Sequence, residues 1–230
     1  MKKILISVFL LLGTFSLVSA EIGVNIGASG SIGLYDTKGT ETDIGLNATE
    51  TNTSKKQEML GGMASVFIEK ELGFLPGPLK RLTIGYDQVL HEIKTGNASS
   101  TRSDLDGDHV LNRNFDRKNS IGATIDDIST VYATLRITDW LYLKHGSMSA
   151  DIISTETLET GSTYGNTSID GTVNAIGLNF ETEGGIFTRF EYEDIQLDGF
   201  TLASENNANN SVKLSDINGA SYKISIGKAF

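Results

Sequence analysis

Three histidines, His91, His109 and His145, supply every imidazole in this 230-residue chain. A hydrolase or acyl transferase of the nucleophilic type would need one of them within reach of a serine and an acidic orienter. Serine and aspartate do stand near each histidine, but both types are abundant throughout, so proximity in sequence selects none. Loop or rim histidines are the expectation, with no catalytic residue and no enzymatic activity assigned. The other candidate is the string Asp104-Leu-Asp106-Gly-Asp108, followed by Asn112 and Asp116. Carboxylates two residues apart suit a hard cation such as calcium. A calcium loop of the helix-loop-helix type asks for glycine after the third acid and glutamate at its twelfth position, where His109 and Phe115 stand. Asp104, Asp106 and Asp108 are therefore weak metal candidates, read as a solvated acidic loop. No cofactor is expected, since no glycine-rich phosphate loop precedes a helix.

The composition narrows the setting in which such residues would act. There is no cysteine, which removes disulfides, thiolate metal sites and a cysteine nucleophile together. The net charge is −10, and no basic stripe exists to follow a phosphate backbone, so nucleic acid is excluded as a partner. Glycine at 25 residues against 2 prolines, with much Thr, Ser and Asn, is a strand-and-loop composition. Residues 1–20 read as a cleaved secretory signal: Lys2 and Lys3, an apolar stretch from Ile4 to Val18, and Val18-Ser19-Ala20 as the cleavage site. Residues 21–230 then form one domain of 210 residues with charge −12, the two lysines having left. No later segment has enough consecutive apolar residues for a spanning helix, so entry into a membrane would be by strands.

Eight segments alternate with period two, which sends every second side chain to one face of a strand. Their apolar faces are carried by Ile22, Val24, Ile26, Ala28, Ile32 and Leu34; Leu60, Ala64, Val66 and Ile68; Leu82, Ile84, Tyr86 and Leu90; Val131, Ala133, Leu135 and Ile137. The remaining four carry Leu141 and Leu143; Ile176, Leu178 and Phe180; Ile186, Phe190 and Tyr192; and Ala220, Tyr222, Ile224, Ile226 and Phe230. The fifth is the weakest, because His145 falls on its apolar face. Long polar connections at 36–58, 93–127, 154–171 and 199–213 alternate with short ones at 73–80, 138–140 and 183–185. All long loops thus gather at one end, and the short turns with both termini at the other. That asymmetry predicts an all-β, eight-stranded antiparallel up-and-down transmembrane barrel. In lipid an open edge would leave N–H and C=O groups unpaired, so residues 22–34 should pair with 220–230. A hairpin hidden in 93–127 would raise the count to ten.

With the apolar faces outward, the opposite parity fills a lumen just wide enough for side chains. Its charged members are Glu69, Asp87, Arg136, Lys144, Glu181, Arg189, Glu191 and Lys223. Counting from the short turns puts Glu69, Arg136, Lys144, Glu181 and Arg189 at a similar height. Buried charges are costly alone, so mutual pairing into an ion-pair network that plugs the barrel is the expectation. Phe74, Trp140, Tyr142 and Phe230 lie toward the short-turn end, where interfacial aromatics collect.

The chain ends Tyr222-Lys-Ile224-Ser-Ile226-Gly-Lys-Ala-Phe230, and residues 131–144 form a strand, a Thr-Asp-Trp turn and a returning strand. Both features resemble those of bacterial outer-membrane barrels, and in size and loop pattern residues 21–230 are similar to the small eight-stranded OmpA-type and OmpX-type group. The resemblance implies a porin-like barrel at the surface of a Gram-negative cell, held in the outer-membrane bilayer. It also implies that Tyr222, Ile224, Ile226 and Phe230 are the signal read by the barrel assembly machinery. Lys228 departs from the apolar or aromatic residue usual there. The leading functional expectation is a structural or surface-interaction role, with the extracellular partner unspecified. The alternatives are an OmpW-type transport barrel, which needs an apolar funnel inside, a lipid-modifying enzyme, and a soluble sandwich or lipocalin-like binder with its apolar faces inward.

Overall fold

The computed structural model describes residues 23–44, 49–53, 57–94, 98–103, 116–158, 163–206 and 210–230. The proposed signal peptide, His109 and the Asp104, Asp106 and Asp108 string lie outside these residues. Among the described residues fourteen strands follow in chain order: β1 Val24–Thr37, β2 Gly39–Ile44, β3 Thr49–Thr53, β4 Gln57–Glu71, β5 Leu82–Val89, β6 Ile93–Lys94 and β7 Ala98–Ser103. Then come β8 Asp116–Arg136, β9 Leu141–Leu158, β10 Thr167–Glu181, β11 Ile186–Leu197, β12 Phe200–Ala203, β13 Asn210–Leu214 and β14 Ile217–Ala229.

Eight of these close into an antiparallel barrel in the order β5, β4, β1, β14, β11, β10, β9, β8, with β8 returning to β5. The predicted closure holds: β1 pairs with β14 from Asn25 with Ala229 to Asp36 with Asn218. Beyond the strands, Gly23 N–H donates to Phe230 O at 2.7 Å and Phe230 N–H to Val24 O at 2.9 Å, so the ladder runs to the rim. The register fixes the shape. From Ile26 it runs through Ile68, Tyr86, Val131, Ser147, Thr172, Gln196 and Asn218, and re-enters β1 at Asp36. That is a stagger of ten residues, which inclines the strands at about 40° to the barrel axis for ordinary strand spacing and rise.

The short turns are tied by local chemistry. Thr138 Oγ1 accepts from Leu141 N–H at 3.0 Å, and Gly185, at φ 77°, closes the turn after β10 by donating to Thr182 O. The long connections are more ordered than the sequence suggested. Region 93–127 does contain a hairpin, β7 against β8, yet it lengthens β8 beyond the barrel and leaves the strand count at eight. A bulge between Asp126 and Ser129, with Asp127 at φ 50°, marks the change. Its extra residue resets the alternation, so that Ile125 and Ile128 both point inward. Above it β8 pairs with β6 and β7 where β5 has ended. Connections 36–58 and 199–213 fold into a four-stranded sheet, β12-β13-β2-β3, whose β2–β13 pairing carries on from the β1–β14 ladder.

Two kinds of interior occupy the barrel. Toward the short turns it is charged. Toward the long loops it is apolar, built from Val89, Ile128, Met148, Ile152, Val173 and Ile195 among others. The lumen therefore holds more than the charged residues that the alternation picks out. On β9 the outward residues are Leu141 and Leu143 low down, while higher up the apolar residues Met148, Ala150 and Ile152 have moved inside.

Candidate functional site

The charged half of the lumen has two storeys. In the lower one Glu69, only 2% exposed, sits across from Arg189 on the far wall. Arg189 donates from Nη1 to Oε1 at 2.6 Å and from Nη2 to Oε2 at 2.8 Å, a two-pronged pairing that fits planar guanidinium to planar carboxylate. Tyr132 OH donates to the same Oε1 at 2.9 Å and Asn25 Nδ2 to Oε2 at 3.1 Å, so both carboxylate oxygens are fully engaged. Arg189 Nε donates to Asn179 Oδ1 at 3.0 Å. The guanidinium lies 4.3 Å from the ring centre of Phe187 and 5.7 Å from those of Phe67 and Tyr142, an aromatic cage that strengthens a desolvated cation's hold.

In the upper storey Lys144 Nζ reaches Glu193 Oε1 at 2.9 Å and both Glu191 oxygens at 3.3 Å. Lys223 Nζ lies 2.7 Å from Asp87 Oδ2 and 3.9 Å from Glu193 Oε1, and Ser221 Oγ donates to Glu193 Oε2 at 2.8 Å. Tyr132 joins the storeys: its hydroxyl serves Glu69 while its ring faces Lys144 Nζ at 4.8 Å. A small cavity lined by Asp87, Lys144, Glu193 and Lys223 has room for about one water molecule, too little for a hydrated ion.

The aromatic rings fit because glycines face them. Tyr132 pairs directly with Gly85, and Tyr142 with Gly177. A Cβ on either glycine would collide with the ring laid over it. Phe67, Phe187 and Tyr35 lie in the same way over Gly27, Gly227 and Gly219.

Of the eight lumen residues anticipated, the structure brings together Glu69 with Arg189, Lys144 with Glu191, and Asp87 with Lys223. Arg136 and Glu181 do not join them. Both are exposed at the short-turn mouth, where Arg136 meets Glu71 at 3.6 Å. The single height expected for Glu69, Arg136, Lys144, Glu181 and Arg189 is likewise corrected, because the strand stagger lifts Lys144 into the upper storey. Tyr142 belongs to the lumen and not to the interfacial belt, while Phe74 and Trp140 are exposed at the short turns. Glu193, Tyr132 and Asn25 escaped the charged-residue reading. Glu193 had a signal, since it shares the parity of Arg189 and Glu191.

No catalytic grouping appears around the described histidines. Ala64 N–H donates to His91 Nε2 at 3.1 Å, so Nδ1 carries the proton toward Glu92 O at 3.0 Å. His145 lies on the outer face with Nδ1 2.8 Å from Asn174 Oδ1. Among the described residues no group of three acids or histidines is spaced to hold a metal ion.

No family model matches the sequence, and no curated protein matches it. Solved structures do. Neisserial surface protein A, NspA, aligns over 90% of this chain and 97% of its own, with 5% identity and a TM-score of 0.38. OprG from Pseudomonas aeruginosa covers 91% of this chain and 97% of its own at 12% identity and 0.38. The outer membrane protease OmpT from Escherichia coli covers 94% and 99% at 10% identity and 0.43. The likeness is one of fold, a closed eight-stranded antiparallel barrel. Fold alone selects no activity, and a surface protein and a protease both stand among these structures.

Proposed function

We propose that this chain is an integral outer-membrane barrel with a sealed lumen, whose role is structural or one of surface interaction exercised from the long-loop end. One observation carries the reading: the polarity of the barrel is inverted over its short-turn half. Large apolar side chains stand outside, with Ile226 at 60%, Val131 at 63% and Ile84 at 49% exposure, while Glu69, Lys144 and Glu191 are buried inside. Only a hydrocarbon solvent makes that arrangement favourable, and it disfavours the soluble binder.

The apolar half of the interior favours transport of small apolar solutes as a second reading. Against it, Tyr35, Met63, Phe200 and Leu214 pack on that cluster and fill it. The test is to refold the mature chain in detergent and in planar bilayers. A heat-modifiable folded band with negligible conductance supports the sealed barrel; steady conductance overturns the seal, and a folded protein soluble without detergent overturns the membrane reading.

A further inference from the structure

The outer surface of the barrel is not uniform around its circumference. On β1 the outward residues stay small or apolar from Ile26 through Ala28, Gly30 and Ile32 to Leu34, and on β4 from Ile68 through Val66, Ala64 and Gly62 to Leu60. β14 continues this face with Ile226, Ile224, Tyr222 and Ala220, and β5 carries Ile84, Tyr86 and Leu90, interrupted by Gln88. The other four strands differ. On β9 the apolar outward run ends at Leu143 and is followed by His145, Ser147, Ser149 and Asp151. On β10 it ends at Ile176, before Asn174, Thr172 and Asp170; on β11 it ends at Tyr192, before Asp194 and Gln196. On β8 Val131 is followed by Ser129 and Asp127.

These are contiguous halves of one wall, so the difference has a geometry. The ten-residue stagger over eight strands raises the register by a little over one residue per strand. At constant height the level of Ile32 therefore meets Ala64 on β4 and Leu90 on β5, but Ser147, Thr172 and Asp194 on β9, β10 and β11. At about 2.5 Å of axial rise per residue, from a strand rise of ~3.3 Å inclined at about 40°, the β1 face spans roughly 20 Å of hydrocarbon. The β10 face, apolar only from Ile176 to Phe180, spans about 10 Å by the same measure, against a band of ~25 Å in barrels of this kind. The lower edges coincide, with Leu82, Leu135, Leu141, Phe180 and Ile186 all close to the short turns. Tilting the barrel moves the short face up or down but does not lengthen it.

We propose that the barrel meets a bilayer of full thickness along β14, β1, β4 and β5 and a thinned one along β8 to β11, with water and hydroxyl-rich lipid headgroups drawn down to the His145–Asn174 pair. The partner is the lipid surface itself. From His145 up to Asp151 and its neighbours the outward side chains are an imidazole, hydroxyls, amides and the acids Asp151, Asp170 and Asp194, with the apolar Ile153 exposed only beyond them, which suits hydrated or sugar-bearing headgroups and repels bare phosphate. Ser168 Oγ donates to Asp151 Oδ1 at 2.7 Å across adjacent strands in the upper part of that surface. The inference rests on the membrane reading above.

The absence of cysteine allows single-cysteine variants of the mature chain to report on each position separately. Ser147→Cys, Ser149→Cys and Thr172→Cys sample the short face, Ile32→Cys and Ala64→Cys the tall face at the same level, and Leu143→Cys the lipid-facing part of β9. Each folded variant, checked by heat modifiability, is labelled with an environment-sensitive fluorophore in phosphatidylcholine liposomes and quenched by aqueous iodide or by lipids brominated in mid-chain. The expected result is several-fold stronger iodide quenching at positions 147, 149 and 172 than at 32 and 64, with the reverse order for brominated lipid. Lipid quenching at 147, 149 and 172 overturns the proposal. So does protection from both quenchers, which would mean that a second copy covers the face. Failure of brominated lipid to quench at 143 and 32 would instead count against the membrane reading itself.

Discussion

Arg189 and Glu69 meet across the barrel through two parallel hydrogen bonds of 2.6 and 2.8 Å, with the Glu69 side chain wholly withdrawn from solvent. They are 120 residues apart in the chain, and their contact spans the lumen at the point where its lower storey closes. A buried pair of this kind adds little over a well-packed apolar substitute, yet losing one member is costly because the other stays buried and unpaired.

Arg189→Met is therefore expected to destabilise the folded barrel by about 3–5 kcal/mol. Glu69→Gln with Arg189→Met should lose less than Arg189→Met alone. Urea unfolding in liposomes, followed through the single tryptophan at Trp140, measures both. Equal losses in the two variants would mean that leaving the Glu69 carboxylate buried without its partner costs nothing.

Clearing the lower storey should leave the lumen closed, because the upper storey and the apolar cluster above it still fill it. Single-channel recordings of Glu69→Ala with Arg189→Ala are expected to match the parent protein, with negligible conductance. Steady conductance in the double variant would mean that the lower storey alone seals the barrel.

Gly177→Ala places a methyl group where the Tyr142 ring lies, and Gly85→Ala does the same to Tyr132. Overpacking of this kind costs about 1–3 kcal/mol. Gly30→Ala is the control, since it faces outward with nothing within 4 Å and should leave the unfolding midpoint unchanged or slightly raised. If all three variants behave alike, the seating of rings on glycines has no energetic weight.

Substitution by arginine on the outer face reads the depth of each position. Ile224→Arg on β14 should cost about 2–4 kcal/mol, as expected near the bilayer midplane, falling to about 0–1 near an interface. Ser149→Arg on β9 should fall at the lower end. Unfolding free energies of the two variants in the same liposomes provide the comparison.

Parity along each strand made much of this legible in the sequence. The outward faces of β1, β4 and β14, the ladder between β1 and β14, and the inward placement of Glu69, Asp87, Lys144, Arg189, Glu191 and Lys223 all follow from alternation. Partner choice does not, because it depends on the ten-residue stagger, which is a property of eight strands together and of no one of them. That is why Lys144 was placed level with Glu69. His145 illustrates a second limit. It looked misplaced on an apolar face because the medium outside changes from hydrocarbon to water just above Leu143 while the strand continues. The alternation then persists with its polarity exchanged, so Met148, Ala150 and Ile152 turn inward, and a reading keyed to one outward polarity ends the strand too early. The strands of the long connections were hidden for a related reason: Thr-, Ser- and Asn-rich ladders such as β2 and β3 carry no apolar period.

The near-continuity of β1–β14 with β2–β13, interrupted by Lys38 and by Ser215 and Asp216, also determines how the molecule bears load. A partner tugging on the four-stranded sheet draws β1 and β14 the same way, so the force falls in shear on their ladders with β4 and β11. The hydrogen bonds there lie across the pulling direction and resist together, instead of opening one after another as in a peeled hairpin. Traction on the sheet would therefore be shared over fourteen paired positions on one side and twelve on the other.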